Sequence, residues 1–297
     1  MSWRIVVISN CAKLDYKMNF MLVRQETITR IHLSEVGLLL IESTAVSLTA
    51  SLLAEMVKRK IRVIFCDEKR NPISELTPYY GSHDTSAKVR KQIAWKSSVK
   101  EAVWAEIIAE KIRHQKMFLL SLNKFKEAEL LHQYIGEIQP GDSTNREGHA
   151  AKVYFNTLFG KEFSRTLDIP LNAALNYGYS ILLSAVNREI AANGYITQLG
   201  IFHDNMFNCF NLGSDLVEPF RILVDRTVFK LQPEKLEHDE KIALVNILTK
   251  EVVIDDKVTT VLNAIKIYCH SVFEAINDND MSLIRFYKIM PDTKRRK

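Results

Sequence analysis

Residues 71–84 split this chain into two parts whose hydrophobic patterns cannot belong to one kind of secondary structure. The stretch holds Asn-Pro, Thr-Pro and Tyr-Tyr-Gly-Ser-His-Asp, the densest cluster of turn formers in the first half. Upstream, apolar residues come in short β-type runs at 4–8, 19–24, 28–33, 36–42 and 61–66, spaced too closely for βαβ units. One helical pattern interrupts them at 48–60, where Leu52, Leu53, Met56 and Val57 share a face. Downstream, helical spacing dominates over 86–115, 118–134, 146–159, 171–192, 215–230, 233–248 and 256–275. The predicted fold class is therefore α+β. A small N-terminal antiparallel β-domain with one helix spans 1–77, a linker 78–85, and a larger all-α domain 86–297.

With 297 residues, 47% of them hydrophobic, and only 10 Gly and 7 Pro, the chain is neither disordered nor collagen-like. The four cysteines, Cys11, Cys66, Cys209 and Cys269, form no Cys-x-x-Cys pair, which argues against a zinc ribbon or a disulfide framework and for reduced intracellular thiols. The first residues lack a signal-peptide core, and no apolar run approaches the roughly 18 residues of a membrane span, so a cytoplasmic protein with no membrane partner is expected. The net charge of +5 permits an anionic partner. Residues 88–116 carry eight basic side chains, Lys88, Arg90 and Lys91 among them, against three acids, as a helix tracking a DNA backbone would. A charged outer face is the plainer alternative. The closing Lys294-Arg295-Arg296-Lys297 reads as a frayed basic tail.

Three residues stand at helix starts or loops where a side chain can enter a cleft: Glu147, His203 and Glu218. Phosphodiester chemistry calls for a hard divalent cation, and carboxylates with one imidazole suit Mg2+ or Mn2+. Each residue also has a structural reading. Thr144-x-x-Glu147 is a capping-box pattern. His203-Asp204 resembles the dyad of HD-type phosphohydrolases, with His149 as a further ligand, but His-Asp pairs recur at 83–84 and 238–239. In Asp215-Leu-Val-Glu218-Pro-Phe-Arg221 the carboxylates three apart share a helix face, and Pro219 in a helix interior costs about 3 kcal/mol, so an irregularity near Glu218 is expected. Arg146, Lys152, Arg165, Arg188 and Arg221 suit phosphate contact. The stripe around Tyr177, Gly178 and Tyr179 reads as close-packed core.

In order, Arg146-Glu147-Gly-His-Ala-Ala-Lys-Val-Tyr-Phe155, residues 171–179, Gly200-Ile-Phe-His203 and Asp215-Leu-Val-Glu218-Pro-Phe-Arg221 resemble the CRISPR-associated integrase family, the larger of the two general spacer-acquisition proteins. The first of these motifs is similar to the type II branch. The resemblance covers nearly the whole chain. It implies Glu147, His203 and Glu218 as metal ligands, Asp215 as a supporting carboxylate, and Mg2+ or Mn2+ as the ion. The implied activity is a metal-dependent DNA endonuclease/integrase, which inserts captured fragments into a CRISPR array by transesterification. The implied partners are double-stranded DNA, a second copy through the β-domain, and the smaller acquisition protein in a heterohexamer. In type II-like systems the effector nuclease and a ring-forming DNA-binding protein join them. The rivals are an HD-type metal phosphohydrolase and a non-catalytic helical DNA-binding scaffold.

Overall fold

A computed structural model describes residues 4–76 and 82–290. The basic tail and the first half of the expected linker, 78–81, lie outside these residues. The chain divides into two compact units, Met1–Ser82 and His83–Lys297.

The first unit runs β1 (Arg4–Ile8), β2 (Ala12–Lys17), β3 (Phe20–Arg24), β4 (Ile28–His32), β5 (Val36–Ile41), β6 (Val46–Leu48), α1 (Ala50–Lys58), β7 (Arg62–Cys66) and β8 (Pro72–Glu75). These strands build two four-stranded sheets, ordered β1-β5-β7-β8 and β4-β3-β2-β6. The expectation of an antiparallel domain is only half met. β2, β3 and β4 form an antiparallel meander, and β8 runs antiparallel to β7. β1, β5 and β7 are parallel, in register Val6↔Leu39↔Val63, and β2 and β6 are parallel too. The reason is topological. The meander is itself the connection from β1 to β5, and α1 connects β5 to β7, so a βαβ unit exists after all. β5 is buried at all six positions, as the middle strand of a parallel group must be. Thr49 caps α1, its side chain accepting from the Leu52 amide.

The second unit holds α2 (Thr85–Ile93), α3 (Ser97–Ser121), α4 (Phe125–Gly136), α5 (Arg146–Phe159), α6 (Pro170–Ala192), α7 (Asn211–Leu216), α8 (Arg221–Leu231), α9 (His238–Val245), β9 (Glu251–Ile254), β10 (Lys257–Thr260), α10 (Val261–Asp278) and β11 (Lys288–Ile289). It is not all-α: the last three strands form an antiparallel sheet ordered β10-β9-β11. Asp255 and Asp256 both adopt positive φ, the geometry of a two-residue hairpin turn, which a reading of helix from 256 onward overlooked. The helix expected over 86–115 is two helices. α3 is buried on several sides, with Val103, Trp104, Ile107, Ile108 and Ile112 fully enclosed, and α4, α5, α8 and α10 pack on it. At Gly178 on α6 an added Cβ would lie 2.5 Å from Val224 Cγ1, so only glycine lets α6 and α8 approach this closely. Among the described residues, no helix is long and apolar enough to cross a membrane.

Candidate functional site

α3 presents Trp104, Ile108, Lys111 and Gln115 on one face, a single lysine among buried neighbours. Its ammonium lies 2.5 Å from Glu147 Oε1 and 2.5 Å from Glu218 Oε2, so three elements meet at one positive charge. Burial pulls the Lys111 pKa down, and the carboxylates of Glu218 and Glu147 outweigh that and hold it above the usual value. Burial likewise pushes Glu218 upward, and Arg221 and Lys111 outweigh it, keeping Glu218 below the usual carboxylate range.

Glu147 is free for this contact because other residues cap its helix. Asp142 accepts the amides of Arg146 at 2.8 Å and Glu147 at 2.9 Å, and Asn145 accepts that of Gly148. The capping-box reading of Thr144 and Glu147 is thus corrected: Thr144 donates to the Glu137 carbonyl instead. Glu218 opens a 3₁₀ turn, Glu218-Pro219-Phe220, that separates α7 from α8, the irregularity Pro219 foretold. The Pro219 carbonyl accepts a hydrogen bond from the Tyr287 hydroxyl and faces His114 Nδ1 at 3.1 Å, so the break leaves it satisfied.

His203 is held from below. Fully buried Asp215 accepts the backbone amides of Ile201, Phe202 and His203 at 2.6, 3.1 and 3.0 Å, and its Oδ1 lies 2.6 Å from His203 Nδ1. Gly200 permits this wrapping, since a Cβ there would fall 2.2 Å from the His203 carbonyl oxygen. The Phe202 ring stacks on Trp104 with centroids 4.4 Å apart, and His203 meets the same indole edge-on. The Asp215 hydrogen bond raises the His203 pKa, and the charges of Glu218 and Glu147 add to it, so all three carboxylates act on one imidazole. Among the described residues, His203 is hydrogen-bonded through Nδ1, and none partners its Nε2. Among the described residues, no three His, Cys, Asp or Glu side chains stand gathered around one point as a metal would gather them; a lysine ammonium stands between the two glutamates.

Beside Lys111 lies a pocket of about 170 Å³ lined by Gln115, Arg165, Tyr179, Arg221 and Asp225 among others. Arg165 and Arg221 lie over the Tyr179 ring, 5.3 and 4.8 Å from its centroid. Arg221 pairs with Glu218 at 2.9 Å, whereas Arg165 donates to the side-chain oxygens of Asn172 and Asn176. The Tyr179 hydroxyl donates to Asp225, whose pKa burial pushes up to about 6. The remaining cations named from the sequence do not converge here: Arg146 pairs with Glu137, Arg188 with Glu189 and Lys88 with Asp84, while Arg90, Lys91 and Lys152 are exposed.

Lys111 and Tyr179 were given no role at the site by sequence reasoning. Lys111 was counted within a basic run, although its spacing from Trp104 and Ile108 puts it on the apolar face. Tyr179 was read as core; it is only partly buried, and its hydroxyl reaches the charge cluster. The HD-type dyad finds no support in this geometry: His203 pairs with Asp215, Asp204 is exposed, and His149 lies exposed near Tyr134.

Comparison with known proteins follows the same outline. A family model described as CRISPR associated protein Cas1 matches residues 5–244. The CRISPR-associated endonuclease Cas1 of Neisseria meningitidis serogroup C (strain 8013) is 30% identical over 297 residues, covering 98% of both chains. Among solved structures, a casposase bound to integration product superimposes with a TM-score of 0.74 at 17% identity, over 95% of this chain and 92% of that one. A chain of a Cas6-RT-Cas1–Cas2 complex gives a TM-score of 0.72 at 18% identity, over 98% of this chain and 36% of that longer one. With the family model spanning most of the sequence and a relative aligned end to end, this chain belongs to the CRISPR-associated Cas1 family.

Proposed function

We infer that this chain is a DNA endonuclease/integrase of CRISPR adaptation, joining a captured DNA fragment to a CRISPR array, and that Glu147, His203 and Glu218 form its metal-dependent centre. The observation that carries the site is the convergence of Glu147 and Glu218 on one cation at 2.5 Å each, beside an imidazole that Asp215 orients. Two carboxylates and an imidazole fit a hard divalent ion, Mg2+ or Mn2+. The Lys111 ammonium stands in for that positive charge in this structure. His203 fits the usual pattern in which a ligand imidazole gives its other nitrogen to a carboxylate, here Asp215, and keeps Nε2 for the metal.

When bound, such an ion would polarise the target phosphate and neutralise charge developing on it. The chain's own residues supply the rest. Glu147 and Glu218 would hold the ion, and Asp215 fixes the ring of His203 and the loop that carries it. Arg221 and Arg165, at the edge of the same cluster, would meet phosphate oxygens. In the joining step the 3'-hydroxyl oxygen of the fragment bonds to phosphorus while the bond to the target strand's 3'-oxygen breaks. One proton leaves the attacking hydroxyl and one joins the departing oxygen, so neither a covalent protein intermediate nor ATP is required. The Met1–Ser82 unit is proposed as the homodimer contact and the smaller acquisition protein as a partner. A type II-like effector nuclease and ring-forming protein remain proposals that rest on the Glu147–Phe155 motif.

The test is strand transfer of a labelled short duplex into a repeat-containing plasmid with the smaller acquisition protein present. Wild type should join DNA in Mn2+ and stop with chelator. Glu147→Ala, His203→Ala and Glu218→Ala should each lose at least about a hundredfold while still folding and binding DNA. Normal joining by the variants would show these residues to be structural.

A further inference from the structure

We propose that Lys111 is a resident cation: it keeps Glu147 and Glu218 together while no metal is bound, and yields its place by moving into the adjoining pocket against Gln115 and Asp225. The proposal rests on the metal-centre reading above and adds to it a residue and a second position for that residue.

Four observations carry it. First, the ammonium contacts both glutamates at 2.5 Å, so a divalent ion held by the same oxygens would meet a like charge at close range. Lys111 must leave, and a buried ammonium must leave for another polar place. Second, the pocket that Lys111 itself borders has about 170 Å³ free, several times the roughly 30 Å³ share of one water molecule, so an ammonium fits. Third, Gln115, one helical turn along the same face of α3, has a buried Oε1 with no hydrogen-bond donor, an acceptor left waiting. Fourth, Asp225 in the same wall is buried and receives the Tyr179 hydroxyl, and the Lys111 charge already acts on its carboxyl from across the pocket.

The other two cations of the pocket do not fill these positions. Arg221 is engaged by Glu218 and Arg165 by Asn172 and Asn176, each beside the Tyr179 ring. Gln115 Oε1 is left without a donor and Asp225 lines the same pocket, so the flexible stem of Lys111 needs only to pivot about its own backbone position to reach them. Metal binding and lysine occupancy at the glutamates then compete, and each weakens the other by the same factor.

The experiment measures Mn2+ affinity by calorimetry and Tm with and without Mn2+, on the full chain. Lys111→Met should bind Mn2+ about tenfold more tightly, and its Tm should fall without metal and recover with it. Gln115→Met, which removes the acceptor at nearly constant volume, should keep the metal-free Tm and bind Mn2+ about fivefold more weakly. In the double variant the Gln115 effect should vanish, because no ammonium needs a second place. Unchanged or weaker Mn2+ binding by Lys111→Met overturns the exchange; should that variant fail to fold, unchanged affinity in Gln115→Met overturns it alone. Wild-type Mn2+ binding that survives combined Glu147→Gln and Glu218→Gln would instead overturn the metal-centre reading, and the exchange with it.

Discussion

In the Met1–Ser82 unit, Leu14, Leu39, Leu52 and their neighbours from both sheets and α1 form an apolar cluster, and among the described residues the charged side chains that go inside, Glu42 and Arg62, face Arg70 and Glu75. In the His83–Lys297 unit, the interior around α3, α7 and α8 encloses Glu110, His114, Gln115, Asp215, Glu218 and Asp225. Apolar burial is stabilising at about 25 cal/mol per Å² whatever the pH or ion content. Buried charges largely offset their own desolvation, so such a concentration adds little stability, and groups of this kind cluster at functional sites. The first interior holds a shape. The second holds a set of charges at fixed distances, and only it should respond to metal and pH.

The largest effect on stability separates the two interiors directly. Leu39→Ala, at a fully buried position of the middle strand β5, should cost about 2–5 kcal/mol, read as the shift in a denaturant midpoint. That loss should be the same at pH 5 and pH 8 and with or without Mn2+. A loss that varied with either would mean that the β unit is coupled to the charged interior.

A smaller effect, opposite in sign, sharpens the other side. Asp225 has its pKa raised by burial to about 6 from an ordinary 3.8. Its native state therefore holds a proton that the unfolded chain has lost, so the associated stability is full below about 3.8 and disappears as pH rises through about 6. Asp225→Asn keeps an oxygen to accept the Tyr179 hydroxyl and removes that loss. It should match wild type near pH 4 and exceed it by up to about 3 kcal/mol at pH 7.5, measured by denaturation across pH. Equal stability at both pH values would show Asp225 to be compensated by its neighbours.

The sequence revealed these two regions unequally. α5 was placed at its observed limits because Val153, Tyr154 and Leu158 recur at helical spacing, and β1 because Arg4–Ile8 is a compact β-branched run. β2 was missed although Ala12, Leu14 and Tyr16 alternate with charges, and β8 because Pro72 sits among turn formers, as an edge strand allows. Parallel pairing was illegible because it depends on where the chain crosses over, which no local pattern encodes. At the site, the order of Glu147, His203, Asp215 and Glu218 was readable, and so was the break at Pro219. Lys111 was not, because a positive charge within a basic run says nothing about whether it faces water or two carboxylates until α3 is set among its neighbours.

The most direct measurement is an anomalous-scattering map from crystals of the full chain grown with Mn2+. The expected result is a manganese peak between Glu147 and Glu218, roughly 2.2 Å from one oxygen of each and from His203 Nε2, with the Lys111 ammonium withdrawn toward Gln115. A peak elsewhere, or none while Lys111 still bridges the two glutamates, would contradict the metal centre at its foundation.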